Sequence, residues 1–565
     1  MKIITLHVDY INFKPLKKAL KSVGDLADKD KKGEKIKESL VVLTAIEKTD
    51  NIEESSKELV KNIKDVAGQV NVKNIVLYPY AHLSNNLASP DVAVCVLEKT
   101  RKELGKNFKV ISAPFGYYKE FELKVKGHPL SELSREIRTE KREEEKIDSR
   151  NLLKSIGKSI LDSSKLKKND HRIIGQQMNL FSFSETAPGM VFWHNNGWII
   201  YQELINFWRE EHRKAGYQEI STPQILNKKL WQISGHWEKY RENIFLTNYD
   251  NDVFAVKPMN CPGGILVFKN SPKSYRDLPL RIAELGIVHR QELSGVLGGL
   301  FRVIKFTQDD AHVYCADEKQ VEEEVISIID MVFKFYKKFK FEYSVELSTR
   351  PGKRIGSEKM WDMAEKVLEK VLKKKKIKFK VNKGEGVFYG PKIDFHIKDS
   401  LGRTWQTATI QLDFAMPERF ELEYTDKDNK KKRPILLHRT VYGSLERFIG
   451  ILLEHTNGRL PTWLAPIQVR VLSFTDRNIK YGKKVIKQIA EEIPEVRIDA
   501  DFRPTTIPSK VKDAELMKIP YIIVAGDKEE KSGKVALRIR GNKKIKIMKI
   551  SEFVKSLKKE ISGRL

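Results

Sequence analysis

The middle of the chain contains Val288-His289-Arg290-Gln291-Glu292, then the glycine-rich segment Gly295-Val296-Leu297-Gly298-Gly299, and then Leu300-Phe301-Arg302-Val303. The first and last pieces combine apolar residues with an arginine, and the glycines between them are typical of a turn. This arrangement predicts two strands joined by a loop, with Arg290 before the loop and Arg302 after it. The segment lies within residues 171–465, for which we predict a core of mixed strands and helices.

Three residues of this core have neighbours typical of a reactive pocket: Cys261 in Lys257-Pro258-Met259-Asn260-Cys261-Pro262-Gly263, His312 in Thr307-Gln308-Asp309-Asp310-Ala311-His312, and His438 in Leu437-His438-Arg439-Thr440. One thiolate and two imidazoles match a catalytic zinc site that keeps its fourth position for a small molecule. The three residues are much farther apart than the ligand pairs of structural zinc sites. A second interpretation therefore stays open, in which the cysteine is a small buried hydrophobe and the histidines make structural hydrogen bonds.

Length and composition narrow the class of protein. A chain of 565 residues predicts about three or four domains, and 40% hydrophobic with 32% charged residues is typical of globular proteins. No apolar run approaches the ~20 residues that cross a bilayer, so we expect no membrane association. The net charge of +28 favours nucleic acid as a partner, although a generally lysine-rich surface is the alternative.

The N-terminal residues and the number of cysteines indicate the cellular compartment. The chain begins Met1-Lys2-Ile3-Ile4-Thr5-Leu6-His7-Val8, which alternates like a strand and lacks a secretory signal. Three cysteines in so long a chain argue against a disulfide framework. Both features predict a cytoplasmic protein.

Four segments follow from the hydrophobic periodicity. Residues 1–135 predict an α/β domain, residues 136–170 a charged helical linker, residues 171–465 the core, and residues 466–565 a compact α/β module. Within the first domain we predict strands at 3–8, 40–46, 75–80 and 109–112 and a helix at 52–67. The fold class is thus α/β and α+β multidomain.

Read in order, the motifs of the core resemble those of class II aminoacyl-tRNA synthetases, and specifically of the threonyl-tRNA synthetase family. The segment from Gly197 to Pro223 resembles motif 1, whose proline lies at a homodimer interface in that class. The arginine-bearing segment described first resembles motif 2, and Gly443-Ser444-Leu445-Glu446-Arg447-Phe448 resembles motif 3. The resemblance implies an antiparallel-sheet catalytic core, a deacylase-like editing domain before it and an anticodon-binding domain after it.

The resemblance also implies the residues that bind ATP, which would be accompanied by magnesium. Arg290 would stabilise the negative charge that develops when the carboxylate of threonine attacks the α-phosphate, because a guanidinium offers paired donors. Arg447 would contact the far phosphates, and Lys392 would face the adenylate. The remaining implied ATP contacts are Glu292, Arg302, Gln308 and Gln411.

For L-threonine, the resemblance implies that Asp310 and Tyr389 take the ammonium group and that zinc on Cys261, His312 and His438 takes the amino and hydroxyl groups. A site that must ligate a hydroxyl rejects valine, which lacks one. Serine keeps the hydroxyl and loses only a methyl, so that a second, hydrolytic site is expected. The first domain resembles the archaeal editing domain of this family, in which His82, Tyr118 and Lys119 would line the pocket that hydrolyses seryl-tRNA.

The last module resembles the anticodon-binding domain of class II enzymes, with Glu529 and Arg538 placed to bind exposed bases of tRNA. Two other interpretations remain open. One is a paralogue without ligase activity that binds tRNA or only hydrolyses misacylated tRNA. The other is a sister synthetase for serine or proline, which would have no need for zinc.

Overall fold

The computed structural model describes residues 1–20, 23–137, 164, 166–250, 252–399, 401–542 and 544–564. The backbone contacts divide the chain into two units, Met1–Leu152 and Leu153–Leu565. Most of the predicted linker, residues 136–170, lies outside the described residues, and the predicted domain boundaries stay predictions. The predicted α/β and α+β fold class is confirmed.

The first unit is built on a six-stranded sheet. Its path runs through Lys109–Ser112, Asn74–Pro79, Glu34–Ala45, Lys2–Lys18 and Tyr117–Val125, and Glu132–Glu136 also pairs with the long strand Lys2–Lys18. The helices are Asp28–Lys31, Ile52–Gln69, the 3₁₀ helix Ala81–Leu83, and Pro90–Leu104. The four predicted strands and the predicted helix are confirmed, and the helix Ile52–Gln69 buries one apolar face.

The largest sheet of the second unit is eight-stranded and mainly antiparallel. Its order is Phe379–Asn382, Glu342–Ser348, Lys392–Lys398, Thr404–Asp413, Ile435–Thr440, Lys305–Cys315, Leu280–His289 and Gln218–Glu219. Only the outermost pair at each end is parallel. In the middle of the sheet, His438 stands opposite His312 on one neighbouring strand and opposite Gln411 on the other. Side chains on adjacent strands at one level share a face, so this register brings distant parts of the sequence together.

Helices cover this sheet, and small sheets border it. The helices are His171–Gln177, Asn195–Lys214, Lys228–Ile233, His236–Tyr240, Cys261–Lys269, Glu318–Phe339, Glu358–Lys374, Ala415–Arg419 and Leu445–Thr456, with 3₁₀ turns at Arg241–Asn243, Tyr275–Asp277, Ser294–Val296 and Thr462–Leu464. The small sheets pair Ile225–Asn227 with Asp252–Val256 and Leu246–Tyr249, Phe181–Ser182 with Phe192–Trp193, and Tyr424–Thr425 with Lys431–Lys432. The helix Glu318–Phe339 buries a continuous apolar stripe against the sheet.

One predicted strand was placed wrongly. The first strand of the arginine-bearing pair ends at His289, short of the predicted Arg290–Glu292, and the second begins at Lys305 rather than at Leu300. Residues 300–303 belong to the loop because their backbone turns on itself: the N–H of Phe301 donates to the carbonyl of Gly298 at 3.0 Å. Arg302 therefore lies on the connecting loop, not on a strand.

The C-terminal part of the chain contains a five-stranded sheet. Its order is Ile498–Asp501, Val469–Ser473, Tyr521–Ala525, Lys534–Ile539 and Lys546–Lys549, with the first three strands parallel. The helices are Ile479–Glu492, Ile507–Leu516, Asp527–Ser532 and Ile550–Ser562, with a 3₁₀ turn at Asp476–Asn478. The predicted alternation of strand and helix in this module is confirmed.

Among the described residues, the helices are all too short or too polar to cross a bilayer.

Candidate active site

A cavity of about 340 Å³ opens above the middle of the eight-stranded sheet. It gathers nearly all the residues that the sequence singled out in the core: Cys261, Arg290, Glu292, Arg302, Gln308, Asp310, His312, Tyr389, Gln411, His438 and Arg447. These residues come from the starts of two helices, three strands and two loops, so only the fold places them side by side.

At one end of the cavity, Cys261, His312 and His438 can hold a metal ion. Their ligand atoms all lie within 4.8 Å of one another, and all three side chains are buried. Burial lowers the pKa of His312 well below its usual value, which keeps the imidazole neutral as a metal ligand must be. Burial raises the pKa of the Cys261 thiol, so metal binding there has to release a proton. The donor set, one sulfur and two nitrogens, fits a metal with a free fourth position.

One of these ligands is oriented by a group that the motifs did not indicate. Asp413 is fully buried, and its Oδ2 lies 2.8 Å from Nε2 of His438, which leaves Nδ1 of that ring for a metal. Histidines that bind metals commonly give their second nitrogen to a carboxylate in this way. A sequence signal existed, because Asp413 follows Gln411 by two residues and so shares its face of the strand.

Beside the metal-binding end lie Asp310 and Tyr389, the predicted partners of an ammonium group. Burial raises the pKa of Asp310 to about 6, while a hydrogen bond from Nδ2 of Asn260 at 2.7 Å opposes this rise. The hydroxyl of Tyr389 donates to Oε1 of Gln411 at 2.6 Å. Asn260 was also missed, although it directly precedes Cys261 in the quoted stretch.

Three arginines also belong to the cavity. The side chains of Arg290, Arg302 and Arg447 line it, and burial together with the charges of the other two lowers the pKa of Arg447. Nε of Arg447 donates to the carbonyl of Phe301 at 2.8 Å, which ties it to the loop. Three guanidinium groups on one concave wall suit a polyphosphate, because each offers several fixed donors.

Lys392 is the predicted residue that does not line the cavity. Its Nζ pairs with Oδ2 of Asp394 at 2.6 Å, next to the strand that carries Gln406. Gln406 does line the cavity and donates to Oδ1 of the same Asp394 at 2.6 Å. The carboxylate of Asp394 thus lies between Lys392 and the cavity-lining Gln406, and the predicted role of Lys392 stays a prediction.

A second cluster of possible ligands, Asp170, His171 and Glu454, has a different role. Nδ1 of His171 lies 2.7 Å from Oε1 of Glu454, and its Nε2 accepts the N–H of Leu300 at 2.9 Å. Both ring nitrogens are therefore engaged, and the imidazole joins the loop at Leu300 to the helix Leu445–Thr456. We interpret this cluster as a support for the loop that carries Arg302.

In the first unit, the three predicted editing residues differ in exposure. Lys119 is the most enclosed: its Nζ donates to the carbonyls of Pro114 and Tyr117 at 2.8 and 3.0 Å, and burial lowers its pKa to about 8. His82 and Tyr118 are exposed. A cavity of about 660 Å³ borders residues 113–115 and Pro79, but none of the three predicted side chains lines it.

In the C-terminal module, Glu529 is half-buried in the short helix Asp527–Ser532. Arg538 lies on the strand Lys534–Ile539, and its buried Nε has no hydrogen-bond partner among the described residues.

Comparison with known families identifies the class. Residues 245–456 match the model of the "tRNA synthetase class II core domain (G, H, P, S and T)", which covers most of the eight-stranded sheet and the cavity. Residues 1–137 match the "Archaea-specific editing domain of threonyl-tRNA synthetase", and residues 468–560 match the "Anticodon binding domain". The core is therefore that of a class II aminoacyl-tRNA synthetase.

Individual relatives narrow this class further. A solved structure titled as the RNA binding domain of threonyl-tRNA synthetase from Cryptosporidium parvum is 38% identical, with a TM-score of 0.67, and the match covers 69% of this chain and 98% of that one. The threonine–tRNA ligase of Clostridium botulinum is 54% identical over 398 residues, and that of Caldanaerobacter subterraneus is 52% identical over 412 residues. These matches cover 70% and 72% of this chain and 62% and 64% of the two ligases. The chain belongs to the threonyl-tRNA synthetase family.

Proposed function

We propose that the protein joins L-threonine to its tRNA at the expense of ATP, through a threonyl-adenylate. The observation that carries the proposal is the lining of the cavity, which contains both a buried Cys-His-His set and three arginines. An amino acid bound at the Cys-His-His set can direct its carboxylate toward a triphosphate bound by the arginines. Holding the two reactants in this way lowers the barrier because it removes the need for random encounter.

The metal at Cys261, His312 and His438 is zinc in this proposal, one ion per chain, and magnesium accompanies ATP. The soft thiolate and two imidazoles favour zinc over magnesium or calcium, which prefer oxygen ligands. When bound, zinc would supply two coordination positions, one for the neutral amino group of threonine and one for its hydroxyl group. Asp310 and Tyr389 hold the amino side of the substrate, while Arg290, Glu292, Arg302, Gln308, Gln411 and Arg447 hold the nucleotide, with Lys392 as a further contact.

Two further parts of the proposal concern tRNA. The first unit hydrolyses seryl-tRNA with His82, Tyr118 and Lys119, which the match to an editing domain and the enclosed Lys119 amine support. The C-terminal module binds the anticodon with Glu529 and Arg538, which the match to an anticodon-binding domain supports.

We further propose a cytoplasmic homodimer. The motif 1 segment offers support for an interface, since Pro223 is exposed and the side chain of nearby Ile225 is 55% exposed. Contiguous apolar surface commonly marks contacts between proteins.

Threonine-dependent exchange of pyrophosphate into ATP tests the ligase proposal, because the reversal of adenylate formation needs no tRNA. Zinc-loaded protein should exchange with threonine and far less with valine. Absence of exchange would favour the paralogue that has lost ligase activity. Exchange that is equally rapid with serine or proline, and independent of zinc, would favour the sister synthetase.

A further inference from the structure

The C-terminal module presents an aromatic ring at an unusual place. Phe474 follows directly after the strand Val469–Ser473, which is the middle one of the three parallel strands, and 60% of the residue is exposed. The carboxyl ends of parallel strands are the edge at which open α/β sheets bind ligands. The N–H of Phe474 donates to the carbonyl of Ala525 at 2.9 Å, so the backbone under the ring is fixed to the neighbouring strand.

Next to Phe474 lies a position without a side chain. A Cβ on Gly526 would lie 3.7 Å from Cβ of Phe474 and 2.7 Å from Oε2 of Glu529. The aromatic ring and the carboxylate therefore border the same bare patch of backbone. Any side chain at this position would fill the space between them.

Hydrogen bonds and an ion pair hold the surrounding loops together before any ligand binds. The side chain of Asn478 accepts from the N–H and Oγ1 of Thr475 at 3.2 and 2.9 Å, and its Nδ2 donates to Asp527 at 2.7 Å. Arg477 pairs with the same Asp527 at 2.5 Å. These bonds connect the loop after Phe474 to the helix that carries Glu529. A fixed platform loses little conformational entropy when a ligand binds.

We propose that Phe474 is a stacking platform for one base of a single-stranded RNA loop, and that the edge of this base faces Glu529. Flat aromatic rings stack on unpaired bases, and hydrogen bonds to the base edge then add selectivity. A carboxylate only accepts hydrogen bonds, so the base must present amino or imino donors. The inference rests on the proposed function, which makes the anticodon loop of tRNA the ligand, and it adds a contact that neither Glu529 nor Arg538 provides.

A synthetic stem-loop RNA that carries a threonine anticodon tests the platform by direct binding to the full-length protein. We expect Phe474→Ala and Phe474→Leu to weaken binding roughly tenfold, and Phe474→Tyr or Phe474→Trp to retain it, because only the latter pair keeps a flat ring. Ile547→Ala is the matched control, since Ile547 is 56% exposed on a strand of the same sheet but carries no ring.

The salt dependence of binding is a second readout. Phe474 has no charge, so Phe474→Ala should lower the affinity without changing the slope of log K against log salt. A changed slope would contradict stacking as the cause. Full affinity in Phe474→Leu would also contradict it, because an apolar contact would then suffice.

Threonine-dependent pyrophosphate exchange separates this inference from the proposed function. All the variants should exchange like the unaltered protein, since no RNA takes part. Failure of exchange in the unaltered protein overturns the ligase proposal. Normal exchange together with unchanged RNA binding by Phe474→Ala overturns the stacking platform alone.

Discussion

Asp413 contacts His438 with one carboxylate oxygen and the start of a helix with the other. Oδ2 lies 2.8 Å from Nε2 of His438, while Oδ1 accepts the N–H groups of Ala415 and Met416 at 2.7 and 3.0 Å at the start of the helix Ala415–Arg419. The carboxylate thus fixes the proton of His438 on Nε2 and leaves Nδ1 free to bind a metal.

Asp413→Asn should therefore weaken metal binding while the fold is kept. The amide oxygen can still cap the helix, but its N–H₂ group then faces Nε2 of His438 and drives the ring proton to the nitrogen that should bind the metal. We expect a loss of about 10- to 100-fold in zinc affinity, measured by competition with a chelator. Asp426→Asn, on a partly buried carboxylate that is paired with Lys432 outside the cavity, is the control and should bind zinc normally. Unaltered affinity in Asp413→Asn would show that the carboxylate does not orient the ligand.

Asn260 should contribute to threonine binding without contacting ATP. Its amide donates to Asp310, and a hydrogen bond to a charged group is stronger than a neutral one. Asn260→Ala is expected to raise KM for threonine roughly tenfold in pyrophosphate exchange and to leave KM for ATP nearly unchanged.

Gly286→Ala offers an independent route to the same effect. A Cβ on Gly286 would lie 2.1 Å from Oδ1 of Asn260, so the amide has to move away. The two variants should share one kinetic signature. A rise in KM for ATP instead of threonine would place Asn260 in a different role.

His171 should support ATP binding from outside the cavity. Its ring joins Leu300 to Glu454, and removing it leaves the N–H of Leu300 without this acceptor. His171→Ala is expected to raise KM for ATP more than KM for threonine and to lower the free energy of unfolding by about 1 to 3 kcal/mol. His194→Ala, at a more exposed histidine of the same unit, should change neither constant. Equal effects on both substrates would indicate general loss of structure instead.

The proposed hydrolysis of seryl-tRNA with the help of Lys119 should depend on pH. Lys119→Ala should leave threonylation intact and let seryl-tRNA accumulate. Because burial lowers the pKa of Lys119 to about 8, its ammonium loses the proton as the pH rises through that value. The ratio of seryl-tRNA hydrolysis in the unaltered protein to that in Lys119→Ala should accordingly fall between about pH 7 and pH 9.

The matched control is Lys124→Ala, since Lys124 lies on the same strand but is 69% exposed and pairs with Asp9. It should clear seryl-tRNA normally. A hydrolysis ratio that stays constant across this pH range would argue against a role for the ammonium form of Lys119.

The sequence predicted the strands, and it singled out residues that line one cavity, because each lies in a local pattern. Alternation along 3–8 predicted a strand, and the residues around Cys261 indicated a pocket. The sequence did not predict that Asp413 would meet His438 or that His171 would meet Leu300, because such pairs depend on strand register and loop path. The strand start at Lys305 was also missed, because apolar residues in a buried loop resemble those of a strand.

The metal content of the purified protein tests the central claim most directly. We predict about one zinc per chain in the unaltered protein and almost none in folded Cys261→Ala, whose exchange activity with threonine should be lost as well. Equal zinc content in the two proteins would contradict the assignment of Cys261, His312 and His438 as the metal site.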